Sequence, residues 1–83
     1  MIERIIRVTA SLEARPAALF VQAASNYGSE IYVQLDDKKV NAKSIMGMIS
    51  IGILEGQTIT LTAHGNDAQA AVDELGEFFN SAR

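Results

Sequence analysis

Eighty-three residues, 48% of them apolar, predict one compact domain over residues 1–83 with little room for disorder. The formal net charge of −3 argues against direct binding to nucleic acid, which calls for a basic surface, and the absence of cysteine excludes disulfides and thiolate metal sites. Because no apolar run approaches the length of a membrane span, we expect a soluble, cytoplasmic protein.

The N-terminal part of the chain predicts a strand followed by a helix. Residues 2–8 carry apolar side chains at period two, which is typical of a strand, and Ile5 on the opposite face leaves open whether both faces are partly covered. Pro16 suits the first turn of a helix, which we expect to end near Gly28. Its buried stripe is expected to contain Leu19, Phe20, Ala23 and Ala24.

The remainder predicts a hairpin, a short helix, a strand and a last helix. Residues 30–35 alternate as a strand, residues 36–39 form a polar turn, and residues 40–42 return as a short strand. Residues 58–63 predict a strand with threonines on its outer side. Residues 68–79 keep helical spacing behind Asn66 or Asp67 as a possible N-cap. The order βαββαβα predicts an α+β fold in which four strands form one sheet with the helices on one face.

Ser44 stands immediately before the short apolar segment, where a helix N-cap belongs. Its hydroxyl can accept a hydrogen bond from an otherwise unpaired backbone N–H, and a phosphate there would meet the positive end of the helix. Two interpretations stay open on these grounds. Ser44 is either a phosphorylation site or a plain capping serine, which is the commoner case.

Two stretches resemble the signature regions of HPr, the small phosphocarrier of the sugar phosphotransferase system. They are residues 14–23, with the sequence ARPAALFVQA, and residues 40–52, with the sequence VNAKSIMGMISIG. The resemblance covers essentially the whole chain and implies the open-faced β-sandwich of that family, with a four-stranded antiparallel sheet.

The histidine that receives phosphate in HPr precedes the Ala-Arg-Pro run, and Glu13 occupies that position here. A carboxylate cannot form the phosphohistidine adduct, whose chemistry needs a neutral imidazole nitrogen as the nucleophile. The connection before Glu13 is also shorter than in HPr. We therefore expect that the chain does not carry phosphate along the sugar transport chain. The lone His64, at the end of a strand, does not match the acceptor position and is expected to be exposed.

The serine motif, by contrast, is intact. In Gram-positive HPr proteins the residue matching Ser44 is phosphorylated by the ATP-dependent HPr kinase/phosphorylase, and the HPr-like subfamily called Crh keeps this serine while lacking the histidine. The resemblance implies a regulatory protein of carbon catabolite repression that acts as corepressor of a LacI-type catabolite control protein. No catalytic pair, phosphate-binding glycine loop or metal-ligand cluster is visible, so we expect no enzyme, cofactor or metal site.

Four further residues are candidates for contact with the partner or a phosphate: Arg15, Ile45, Met46 and Met48. Met48 fits the core equally well. Ile49 is expected to continue the inward stripe from Ile45, which favours an exposed Met46. A solvated Arg15 without a partner is the simpler alternative.

Glu13 and the overall function each leave alternatives. The Glu13 carboxylate is expected either to lie at the uncapped amides of the helix behind it, partly imitating a phosphohistidine, or to have no function. The alternative functions are a phosphocarrier with an altered acceptor site, acting in the sugar system or a side pathway, and a structural domain that forms an oligomer through residues 45–53.

Overall fold

The computed structural model describes residues 1–80 and confirms the predicted order of elements. The strands are β1 (Ile2–Arg7), β2 (Glu30–Leu35), β3 (Lys38–Asn41) and β4 (Thr58–His64). The helices are α1 (Ala14–Ala24), α2 (Ile45–Ile51) and α3 (Ala68–Gly76), which continues as a short 3₁₀ helix (Glu77–Phe79). All strand pairs are antiparallel, and the order across the sheet is β1-β4-β2-β3.

The core lies between the helices and one face of the sheet. In β2 and β4 every second side chain is buried, and the register places Val33 beside Leu61 on the covered face. Phe20 of α1 meets Phe79 edge to face, with ring centroids 5.3 Å apart. The other face carries the threonines of β4 and stays open. Within residues 1–80, no helix is long and apolar enough to cross a bilayer.

Strand β1 shows that only one face of the sheet is covered. Ile2 and Ile6 are half-buried and pack against the core, whereas Ile5 on the opposite face is 72% exposed. The question that the sequence left open is therefore answered: no helix covers the outer side of β1 among the described residues.

Helix α1 differs from its prediction at its C-terminal end and in its buried face. It begins at Ala14, which places Pro16 in the first turn as predicted, and it ends at Ala24 before a turn that leads to Gly28. The expectation that Leu19 is buried is wrong, because that side chain is 52% exposed. The buried side chains Ala17, Phe20 and Ala24 repeat every three or four residues, and Leu19 lies about 100° around the helix from Phe20.

The β2–β3 turn is tighter than predicted. Leu35 pairs with Lys38, so only Asp36 and Asp37 form the turn, and β3 begins at Lys38 instead of residue 40. Asp36 adopts a left-handed conformation with φ 56°, which a short polar side chain tolerates better than most. The polar stretch was recognised, but its last two residues belong to the strand.

Asp67 occupies the predicted N-cap position of α3 but does not cap that helix. Its carboxylate accepts hydrogen bonds from the backbone N–H groups of Gly28 (2.9 Å) and Ser29 (3.0 Å), and from the Ser29 hydroxyl. These bonds, with the Ser29 hydroxyl as the largest cause, lower the pKa of Asp67. Asp67 therefore holds the loop behind α1 against the start of α3.

Candidate functional site

The segment that delivers Ser44 is a side-chain-stabilised turn that sequence reasoning missed. The Asn41 side-chain oxygen accepts from the Lys43 N–H (2.8 Å), and the Asn41 carbonyl accepts from the Ser44 N–H (3.0 Å). An asparagine that bonds the backbone two residues later is a recognised turn former, so Asn41 itself was the available signal. The turn brings the chain from the edge strand β3 into α2.

Ser44 is the N-cap of α2, as predicted. Its backbone is extended, its Oγ accepts from the Gly47 N–H at 3.1 Å, and its carbonyl accepts from the Met48 N–H at 2.9 Å. Ser44 is half-buried, so part of the residue is exposed to solvent. The capping bond uses one acceptor site of the hydroxyl and leaves its O–H and a second acceptor site available for chemistry.

Helix α2 exposes three apolar side chains beside Ser44, which we call the α2 apolar patch: Ile45, Met46 and Ile49. They are 38%, 74% and 49% exposed, respectively. The exposure of Met46 is as expected, but the inward direction expected for Ile49 is wrong. Gly47 lies on the side of α2 that packs closely on β3, since a Cβ at that position would lie 3.3 Å from the Val40 Cβ. This close contact fixes which side of α2 faces solvent.

Met48 belongs to the core and not to the partner surface. Its side chain is fully buried, and Ile51 and Ile53 are no more than 4% exposed. Including Met48 among the partner-contacting residues is therefore wrong, and an interface over residues 45–53 retains only the outer side chains of α2. Met48 and Ile51 lie one turn apart on the face that packs against the sheet.

Glu13 and Arg15 lie at the start of α1 with exposed side chains. Glu13 is the N-cap residue with an extended backbone, yet its carboxylate makes no capping bond; only its carbonyl accepts, from the Ala17 N–H at 2.8 Å. The expectation that this carboxylate lies on the helix amides is wrong. Arg15 makes no ion pair or side-chain hydrogen bond with residues 1–80.

The two candidate positions lie at opposite ends of α2. The Leu12 N–H donates to the Ile53 carbonyl (3.0 Å) and the Glu55 N–H donates to the Ser11 hydroxyl (2.9 Å), so the segment before Glu13 joins the segment after α2. Ser44 begins the same helix, which is about 10 Å long at 1.5 Å per residue. The structure therefore does not combine Glu13 and Ser44 into one site.

Lys43 and His64 are the two other polar residues to place. The Lys43 ammonium donates to the Tyr27 carbonyl at 2.7 Å, so it is engaged with the end of the α1 region. His64 is exposed at the end of β4, as expected. Over residues 1–80, no group of three or more side chains of the kinds that bind metals is assembled.

Comparison with known proteins decides the family. The model described as "PTS HPr component phosphorylation site" matches residues 2–81. The chain belongs to the HPr family. The HPr-like protein Crh of Halalkalibacterium halodurans is 53% identical over 73 residues, which covers 88% of this chain and 87% of that protein.

Two solved structures of HPr-family proteins resemble the fold closely. The phosphocarrier protein HPr from Bacillus anthracis has a TM-score of 0.90 and 42% identity, covering 95% of this chain and 96% of its own. The crystal structure of Crh from Bacillus subtilis, described as a domain-swapped dimer, has a TM-score of 0.77 and 46% identity, covering 89% and 85%. HPr and Crh proteins are phosphocarriers or regulators, so this HPr-family chain is not an enzyme.

Proposed function

We propose that this HPr-family protein is a cytoplasmic regulator of carbon catabolite repression. In this proposal an ATP-dependent HPr kinase/phosphorylase phosphorylates Ser44, and the phosphorylated protein is the corepressor of a LacI-type catabolite control protein. The observation that carries the proposal is a contrast between two positions. Ser44 is partly exposed at the start of α2, whereas Glu13 stands where the family's phosphoacceptor histidine is expected.

The Ser44 hydroxyl suits phosphoryl transfer. Its oxygen attacks the γ-phosphate of ATP, its proton passes to a base of the kinase, and ADP leaves. The product carries about −1.5 to −2 extra charges at pH 7. An anion at an exposed helix N-terminus is stabilised by about 0.3–1 kcal/mol, so the fold accommodates the group.

The surroundings of Ser44 indicate how a partner recognises the phosphate. Lys43 donates one of its three ammonium N–H bonds to the Tyr27 carbonyl, which holds the ammonium at the end of the α1 region. The phosphate is then presented together with the α2 apolar patch, which favours a partner that surrounds an apolar pocket with Arg or Lys. Exposed Arg15 is a further contact in this proposal. The partner, and not this acidic chain, reads the DNA.

Mass spectrometry of the intact protein and its peptides tests the modification. ATP with HPr kinase/phosphorylase is expected to add a single phosphate at Ser44, and Ser44→Ala is expected to remain unmodified. Ser50→Ala is the matched control, because Ser50 is an exposed serine of the same helix whose Oγ bonds the Gly47 carbonyl. Phosphate on Ser50, or modification only by phosphoenolpyruvate and the sugar-system kinase, would contradict the proposal.

A phosphocarrier with an altered acceptor is the second candidate function. It is favoured by the exposed side chain of Glu13, whose carboxylate makes no capping hydrogen bond, and by the similarity to the Bacillus anthracis phosphocarrier. The carboxylate oxygen would attack the phosphorus atom of the donor's phosphohistidine, breaking the P–N bond and leaving an acyl phosphate. This candidate predicts a phosphoenolpyruvate-dependent label that hydroxylamine removes and that Glu13→Gln lacks. Absence of that label excludes it.

A further inference from the structure

The three methionines of this chain lie in contrasting surroundings. Met46 is 74% exposed and Met1 is 82% exposed, whereas Met48, two residues after Met46 in the same helix, is fully buried. The sequence contains no cysteine and no tryptophan, so no thiol or indole competes with the thioethers for an oxidant. Because a methionine sulfur must be accessible to react, Met46 and Met1 are the side chains that a peroxide oxidises most readily.

Met46 lies where oxidation changes the surface without disturbing the fold. It is the most exposed member of the α2 apolar patch. Its side chain takes no part in the cap of α2, since the Ser44 Oγ accepts from the Gly47 N–H and the Ser44 carbonyl accepts from the Met48 N–H. An oxygen on the Met46 sulfur therefore adds a polar atom to an exposed side chain and leaves the cap and the core as they are.

We propose that Met46 is a reversible oxidation site at which hydrogen peroxide makes the α2 apolar patch polar. A lone pair of the sulfur attacks one peroxide oxygen and the O–O bond breaks. The departing hydroxide takes the proton of the transferred oxygen and leaves as water, so the thioether is oxidised to the sulfoxide and the peroxide is reduced. A methionine sulfoxide reductase restores the thioether with a dithiol as the reductant, which gives a disulfide and water.

The sulfoxide changes what the patch can bind. A thioether is a weak hydrogen-bond acceptor, whereas the sulfoxide oxygen is polar and must lose its water when an apolar pocket covers it. Burying a polar group without a new hydrogen bond opposes binding, although Ile45 and Ile49 still offer apolar contact. Oxidation of Met46 therefore opposes the effect of a phosphate on Ser44. This consequence for the partner rests on the proposed function, but the oxidation of Met46 does not.

Peptide mass spectrometry after graded treatment with hydrogen peroxide tests the site. In the folded protein, Met46 and Met1 are expected to gain one oxygen about tenfold faster than Met48 or more, because Met48 reacts only when the helix opens. In urea the three rates are expected to converge. Methionine sulfoxide reductase with a dithiol is expected to remove the oxygen from Met46, and the urea midpoint of the oxidised protein is expected to match that of the untreated protein. Equal rates for Met46 and Met48 in the folded protein, or a Met46 sulfoxide that the reductase leaves in place, would overturn the proposal.

Calorimetric titration with a LacI-type catabolite control protein tests the consequence for binding. The chain is phosphorylated first, then treated with peroxide, and the excess peroxide is removed before mixing. Oxidation is expected to weaken binding by about five- to tenfold, and peroxide treatment of Met46→Leu, which keeps an apolar side chain without sulfur, is expected to have no effect. Because Met46→Leu retains Met1, it also controls for oxidation of Met1.

The outcomes separate this inference from the proposed function. If the phosphorylated and untreated chain does not bind the control protein, the proposed function fails, and the mass-spectrometric rates still decide the oxidation site. If that chain binds and complete oxidation of Met46 leaves its affinity unchanged, the proposed function stands and Met46 does not control the patch.

Discussion

Replacing Met48 by alanine tests which face of α2 is packed into the core. The Met48 side chain is fully buried in the seven-residue helix that presents Ser44. Truncating a buried methionine removes its transfer free energy and leaves a cavity, and together these cost about 2–5 kcal/mol. A chain of this length has a free energy of unfolding of roughly 4–12 kcal/mol at 0.05–0.15 kcal/mol per residue, so the loss is a large part of the total.

Met46→Ala is the matched control, because it makes the same chemical change two positions earlier in the same helix. Because Met46 is 74% exposed, Met46→Ala is expected to change the free energy of unfolding of the protein by no more than about 0.5 kcal/mol. Since both variants gain the same helix propensity, their difference isolates burial. Urea denaturation measures both free energies of unfolding, provided that the two variants show the same dependence of this free energy on urea concentration. Equal losses for the two variants, or a larger loss for Met46→Ala, would refute the assignment of the core face.

Three further predictions concern stability. Ser44→Ala removes the cap of α2 and is expected to cost about 0.5–2 kcal/mol in urea denaturation, with Ser50→Ala close to neutral. The pKa of Asp67 is lowered in the folded state, so Asp67 stabilises the fold above its unfolded pKa, and this contribution is lost as the pH falls through the folded pKa. Measuring the free energy of unfolding as a function of pH should show this loss. The Asp67→Asn variant should lack this part of the pH dependence. Gly65→Ala is expected to lower the free energy of unfolding by at least about 1–3 kcal/mol, because φ is 152° and a Cβ would lie 2.8 Å from the Ser29 Cα. Gly28→Ala is the control, since a Cβ there meets nothing within 4 Å. Equal costs for the two variants would contradict this prediction.

The periodicity of apolar residues predicts most of this fold, because in a long helix or strand it shows which face of the element is buried. The alternation in β2 and β4 and the helical spacing from Ala68 to Phe79 correctly predict which residues are buried. Such patterns depend on geometry that is local to one element. The N-cap at Ser44 was predictable for the same reason, because capping involves residues within a single helical turn.

The features that the sequence could not give depend on contacts between distant segments. Helix α2 has only two turns with apolar residues on almost every side, so the pattern does not select Met48 over Ile49; the close approach of Gly47 to Val40 does. Asp67 looks like a cap of its own helix, yet it bonds Ser29, which lies 38 residues earlier. Loop placement of this kind is decided by the tertiary fold.

Binding of the phosphorylated chain to a LacI-type catabolite control protein tests the central claim most directly. Isothermal titration calorimetry should detect binding by the Ser44-phosphorylated protein and at least tenfold weaker binding by the unmodified protein, since charge-assisted bonds to a phosphate contribute about 1.5–3 kcal/mol. Met46→Asp in the phosphorylated protein should weaken binding again, because it places a charge in the α2 apolar patch. Equal affinities of the phosphorylated and unmodified proteins would contradict a regulatory role for Ser44.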